Sequence, residues 1–530
     1  VGVISTTQRP PQASPAPGPD PLAPEQPSPA PEAPSVTAGR MVRNAMALGL
    51  SRPFTWLSAT GLTILIPRYL GDSSVGKMNA AFAFADWCGL LVSLGITTYL
   101  TKEVARRGTA AGSLVLNALV LRTALAIATG VVAVAVAGVF IQDALTRDLV
   151  YLLSVHMMLT VIIGVLTGAL QGMQHLRIVA LVDGVSKLVL LALVAGFLLQ
   201  GAGVTSVAVS YLLSDLVALA WLLVVVRRRD GIHGPVTFGS WRALLTGGMP
   251  FAVWEVSLLA YARFDVILMA FFSPDSVLGW YYAAYRIISI PLFLPTILMT
   301  VTLPALAANA GNSSTFNGIT RRGVIAAAFA SMPMAIGVMM LADKIIDLFG
   351  YESGFSNAVI PIAVLAAGLP LVAINMIVAP ALAALDKQRN WALLGVGAAV
   401  LNISLNLVAI PLTQSWWDNG AIGAGAITTL TEVYLLIGGL ILLPKGILDN
   451  RTFVGVLKCL IAGGAMAAVL WLAYDASIFV LVPLGGIVYA ATALALRVFT
   501  IAELKVIAAQ ALNRGNARTA SPPSPVPEAS

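Results

Sequence analysis

Residues 113–140 read SLVLNALVLRTALAIATGVVAVAVAGVF, 28 residues that carry a single charge, Arg122. The hydrocarbon core of a bilayer is about 30 Å thick, and roughly 20 apolar residues of helix cross it. Comparable stretches recur along the whole chain. The expected spans are approximately 44–66, 77–100, 113–140, 149–172, 178–200, 204–226, 243–272, 277–308, 323–341, 358–385, 391–410, 422–443, 453–474 and 477–497. Of the 530 residues, 58% are hydrophobic and only 10% are charged. A soluble chain would have to carry that apolar surface on its own exterior. The reading is an all-α polytopic membrane protein of about 14 transmembrane helices, with loops too short to hold a catalytic domain.

An even number of spans puts both termini on one side, and the basic residues say which. With the N-terminus inside, the inner loops hold Arg40, Arg43, Lys102, Arg106, Arg107, Arg177, Arg227, Arg228, Arg229, Arg242, Arg321, Arg322, Lys387 and Arg389. Lys445, Arg451, Lys458, Lys505, Arg514 and Arg518 follow on the same side, while the outer loops hold Arg68, Lys77, Arg147 and Lys344. Cytoplasmic loops keep an excess of Lys and Arg, so both termini are expected in the cytoplasm. The net charge of +7 reflects inner loops facing anionic lipid and calls for no nucleic acid.

Eleven prolines lie between Pro10 and Pro34, among Ala, Ser and Glu. Such a segment buries too little apolar surface to offset its ordering entropy. Residues 1–40 and 506–530 are therefore expected to be disordered cytoplasmic tails. Between them the chain divides into a six-helix lobe over 41–228, a second over 229–447, and a terminal helix pair over 448–505. Cys88 and Cys459 both fall inside spans; isolated thiols at that depth give no disulfide framework and no metal site. The sequence has no HExxH, no Walker A motif and no glycine-rich nucleotide fingerprint. ATP hydrolysis is not expected, and neither is an enzyme.

The chain also repeats itself. Residues from Arg52 read RPFTWLSATGLTILIPRYLGDSSVGKMNAAFAFADW; those from Met249 read MPFAVWEVSLLAYARFDVILMAFFSPDSVLGWYYAAYRI. Both have a Pro-Phe pair followed by Trp (Trp56, Trp254), a turn of Asp, Ser, Val and Gly (Asp72 to Gly76, Asp275 to Gly279), and then Ala-Ala (Ala80-Ala81, Ala283-Ala284). The offset is about six spans, so two like-directed halves are expected around a central cavity.

The run Pro67-Arg68-Tyr69-Leu70-Gly71, with Gly76 opening the next span, resembles polysaccharide-type flippases of the multidrug/oligosaccharidyl-lipid/polysaccharide superfamily. So does the stretch from Arg263-Phe264-Asp265 through Gly279, Tyr282, Ala284 and Arg286. The resemblance covers roughly Val42 to Ala502. It implies fourteen helices as two six-helix lobes plus a terminal pair, and a secondary transporter flipping polyprenyl-diphosphate-linked oligosaccharide to the outer leaflet by alternating access. It also implies a bacterial cytoplasmic membrane, other polysaccharide-assembly proteins as further partners, and an H+ or Na+ gradient in place of a cofactor. Lipid II flippases and multidrug exporters share the architecture. Exporters usually have twelve helices, so the last two spans favour the lipid-linked branch. A membrane glycan polymerase or glycosyltransferase would need a large outer loop with acidic residues, and none is present.

Ionisable residues at membrane depth cost at least ~2.5–3.5 kcal/mol on insertion scales, so each normally faces a cavity or a partner. Arg52, Arg122, Arg263 and Arg286 are the candidates for binding a diphosphate, because a guanidinium stays charged and offers two parallel donors. The competing role is glue to a nearby acid or, for Arg52, snorkelling. Tyr282 belongs to a cluster with Trp280, Tyr281 and Tyr285 that suits either an interfacial belt or sugar stacking. Glu255, Asp265, Asp86 and Glu432 are the candidates for ion coupling, since carboxyls in low dielectric can load and release a proton near neutral pH. Asp183 and Lys187, four apart on one helix, suit an intrahelical pair or a role in gating. Pro291, Pro295 and Pro304 are expected to bend their span.

Overall fold

The computed structural model describes residues 38–107, 111–228, 234–444, 446–447 and 449–498, without the side chains of residues 38–52, Trp254 and Val301. The tails beyond these bounds lie outside the described residues. Among the described residues there are seventeen α-helices, one 3-10 turn and no strand. A backbone in hydrocarbon must satisfy its own polar groups, and a helix does this within one segment.

The helices are α1 (Ala38–Tyr69), α2 (Asp72–Ser93), α3 (Ile96–Arg107), α4 (Gly112–Phe140), α5 (Ala144–Gly172), α6 (Leu176–Leu199) and α7 (Val204–Arg227). Then come α8 (Phe238–Phe272), α9 (Asp275–Ser289), α10 (Phe293–Ala308), α11 (Ser313–Met340), α12 (Ala342–Phe349) and α13 (Val359–Ala384). The last are α14 (Gln388–Trp417), α15 (Gly420–Leu442), α16 (Asn450–Leu472) and α17 (Ile478–Ala495). Ten helices are long and apolar enough to cross a bilayer, and two bent pairs raise the number to twelve. The other two expected spans lie within α1 and α8, which carry four charged residues each. The protein is multi-pass and all-α.

Two of the expected spans are broken. The first bends by 43° between α2 and α3, where Leu94 and Gly95 take φ of +43° and +67°. No proline marks this break. It is made by packing: a Cβ on Gly95 would lie 2.3 Å from the Gly248 carbonyl oxygen of α8, and one on Gly248 would lie 2.5 Å from the Leu94 carbonyl oxygen. The second break, 45° between α9 and α10, falls at Pro291 as its proline predicts. A proline there has no N–H to give and its ring crowds the carbonyl four residues back.

The packing repeats with the same offset as the sequence. In the first half α1 lies on α6, α4 on α5, α5 on α7 and α6 on α7; in the second, α8 lies on α14, α11 on α13, α13 on α15 and α14 on α15. α16 packs on α11 and α17 on α16. The halves meet where α2 runs along α9 and where α2 and α3 run along α8. At the α2–α9 contact the repeated turns face each other. A Cβ on Gly76 would stand 1.7 Å from the Asp275 carbonyl oxygen, and one on Gly279 would stand 2.0 Å from that of Asp72. The Trp280 indole N–H donates to Asp72 across the same contact at 2.8 Å.

Candidate functional site

A cavity of 340 Å³ opens between α2, α8 and α9, lined by Asn79, Arg263, Tyr281, Tyr282, Tyr285 and Arg286 among others. Helical spacing explains the α9 contribution: Tyr282, Tyr285, Arg286 and Ser289 fall three or four residues apart on one face. The Arg286 guanidinium lies 5.0 Å from the centroid of the Tyr282 ring, a cation–π contact that holds the charge over an aromatic face. Arg263 comes in from α8. Its Nε lies 3.4 Å from an Asp86 carboxylate oxygen, and its Nη1 is 3.5 Å from Asn79 Oδ1.

Three of the candidate substrate residues, Arg263, Arg286 and Tyr282, are thus brought together. Arg122 is not with them. It is 3% exposed, donates to Thr97 Oγ1, and borders a separate 210 Å³ cavity with Asp86, Ser93 and His156. The Arg52 side chain lies outside the described residues.

The four coupling candidates are scattered. Asp86 pairs with Arg263. Glu255 accepts from Ser93 Oγ at 2.6 Å, beside the α2–α3 break. Asp265 is 1% exposed; it accepts from the Tyr281 hydroxyl and from the Val266 N–H at 2.7 Å. Glu432 accepts from the Tyr261 hydroxyl and from Asn375 Nδ2 at 2.8 Å. Glue between Arg286 and either Asp265 or Glu255 is not found. Both carboxylates are held by hydroxyls, and Arg286 makes no ion pair among the described residues. Likewise Asp183 and Lys187 form no ion pair with each other; they line a third cavity, of 870 Å³.

Sequence reasoning passed over His156 and Tyr211. His156 Nδ1 contacts the Asp215 carboxylate across α5 and α7, and its ring packs edge-on against Tyr211 at 5.4 Å. The available signal was an imidazole in the middle of an apolar segment.

Residues 41–310, just over half of the chain, match the family described as polysaccharide biosynthesis protein. The chain belongs to that family. A curated relative is the probable flippase AglR of Haloferax volcanii, 27% identical over 217 residues, which are 40% of this chain and 44% of that protein. Another is the probable lipid II flippase MurJ of Haemophilus influenzae, 27% identical over 234 residues, 42% of this chain and 44% of that one. The chain therefore spans less than half the length of these curated relatives. A solved lipid II flippase MurJ in an inward closed conformation matches 85% of this chain and 99% of its own, with a TM-score of 0.71 and 13% identity. At that identity the likeness is one of fold. For this family member, the fold likeness extends well beyond the residues matched by sequence.

Proposed function

We propose that this protein is a secondary transporter that flips a polyprenyl-diphosphate-linked oligosaccharide from the inner to the outer leaflet by alternating access, and that it is not an enzyme. One observation carries the reading: two arginines converge on a cavity between the halves, and among the described residues only Arg263 has an ion-pair partner, Asp86. A cavity so lined attracts an anion and repels the cationic substrate of a multidrug exporter. The names of the curated relatives support the same class. In this reading the membrane is a bacterial cytoplasmic one with both termini inside, an H+ or Na+ gradient drives the cycle, and the polyprenyl tail stays in lipid beside α16 and α17.

The test is Arg286. Arg286→Ala should abolish glycan export while the protein remains folded and inserted. Arg286→Lys should impair it, because lysine loses the planar two-donor fork. Losing a charge-assisted bond to a buried anion costs on the order of 1.5–3 kcal/mol, roughly ten- to more than a hundredfold in affinity. Full export by Arg286→Ala would overturn the headgroup assignment.

A further inference from the structure

The largest of the cavities described above lies inside the first half, among α1, α5, α6 and α7, and its 870 Å³ falls within the roughly 300–1,000 Å³ of small-molecule sites. Two ionisable side chains enter it from α6. Asp183 and Lys187 are exposed to this space, and among the described residues neither side chain has an ion-pair partner. A charge at membrane depth that lacks a protein partner is costly to keep, and a polar ligand would supply what the protein does not. Facing them are the Asp215–His156 contact and the phenol of Tyr211.

The lining narrows the ligand. The lining sets two carboxylates, Asp183 and Asp215, against Lys187 and Arg286, so it favours neither a free anion nor a hydrocarbon chain. A polyhydroxylated ligand needs acceptors and donors in one place: carboxylates accept from hydroxyl pairs, and an ammonium donates to ring and hydroxyl oxygens. The Tyr211 and His156 rings add apolar faces of the kind that pack on sugar C–H groups. Arg286 borders both this cavity and the central one, so a molecule with its diphosphate against Arg286 and Arg263 has its next covalent unit at the mouth of the first-half cavity.

We propose that the first-half cavity is a carbohydrate subsite, holding through Asp183 and Lys187 the sugar attached to the diphosphate. This rests on the reading of Arg286 and Arg263 as the diphosphate site. The experiment compares, by calorimetry on the purified full chain in detergent, inorganic pyrophosphate with glucose, galactose and N-acetylglucosamine 1-diphosphates. At least one glycosyl diphosphate should bind ten or more times tighter than pyrophosphate. Asp183→Asn and Lys187→Gln should each remove most of that gain and leave pyrophosphate affinity within twofold, whereas Arg286→Ala should weaken both ligands. If pyrophosphate binds and no sugar adds to it, or if both α6 variants keep the gain, the subsite is overturned and the diphosphate site stands. If neither pyrophosphate nor any glycosyl diphosphate binds, the diphosphate reading fails and the subsite fails with it.

Discussion

Asp183 and Lys187 on α6, and Asn402 and Asn406 on α14, stand four residues apart on helices that hold matching places in the packing of the two halves. They behave in opposite ways. The asparagines are fully buried and bond to each other at 3.0 Å, with Asn402 reaching Thr431 of α15 at 3.4 Å. Nearby, Glu432 is held by Tyr261 and Asn375. The charges on α6 face open space instead. On these two helices one half uses its polar pair to hold helices together, and the other leaves its pair facing a cavity. At these matching places the second half is polar-filled and the first is hollow, and the expected use of each place follows from that.

The largest effect should come from the contact that the halves share. Gly76→Ala and Gly279→Ala each put a methyl group into backbone, and overpacking of this kind costs about 1–3 kcal/mol, occasionally more. The two losses should be similar, read as lowered thermal midpoints in detergent. Gly196→Ala, which meets nothing within 4 Å, should be neutral or stabilising by up to ~1 kcal/mol from helix propensity. A large loss at only one of the paired glycines would break the symmetry of the contact.

Next is the filled half. Tyr261→Phe removes a donor from buried Glu432 and should cost roughly 1–3 kcal/mol, the penalty for an unsatisfied buried group. The hollow half should answer differently. Asp183→Asn and Lys187→Gln should be no less stable than the parent, to within about 0.5 kcal/mol, in denaturant unfolding, because among the described residues neither side chain has an ion-pair partner to lose. A destabilisation of 1 kcal/mol or more, in approximate terms, would make them structural and erase the contrast.

The smallest expected effect lies outside the spans. Asp143 caps α5, accepting from the Thr146 N–H at 2.8 Å, and pairs with Lys77 of α2 at 2.8 Å. The Lys77 bond and then the Thr146 bonds hold its carboxyl down at about 2. A depressed carboxyl contributes stability that is fully present above its unfolded value, about 3.9, and is lost as the pH falls through about 2. Asp143→Asn should therefore be less stable than the parent at pH 5, with the difference shrinking between pH 4 and 2 in thermal scans. The group is 45% exposed, and solvent keeps the amount small. A gap that widens toward pH 2 would contradict the pairing.

Much of this was legible in the chain. Apolar length gave the spans, Pro291 gave one break, and the Asp-to-Gly turns of the repeat gave the segments that meet at the junction. Arg263, Arg286 and Tyr282 were legible as charges and an aromatic at membrane depth. Their convergence was not legible there: it comes from the packing of α2 and α8 against α9. What stayed hidden depended on partners far away in sequence. The break at Leu94–Gly95 has no local breaker but its glycine and is shaped by the backbone of α8. The i,i+4 spacing of Asp183 and Lys187 suggested a bond that the structure does not form; both side chains line the first-half cavity instead. Arg122 looked like its fellow arginines because sequence reports depth, not direction.

The junction between the halves has a property that side-chain packing lacks. At Gly76 and Gly279, and again at Gly95 and Gly248 toward the other end of the same bent element, main chain lies directly on main chain. No rotamer is frozen when such a contact closes and none is released when it parts. In the proposed cycle these backbone contacts part and close with no rotamer search of their own, while Val75, Met78, Val277 and Leu278 beside the first of them are side chains that must repack. The glycine contacts therefore add closeness to the junction without adding to the entropy lost when it closes.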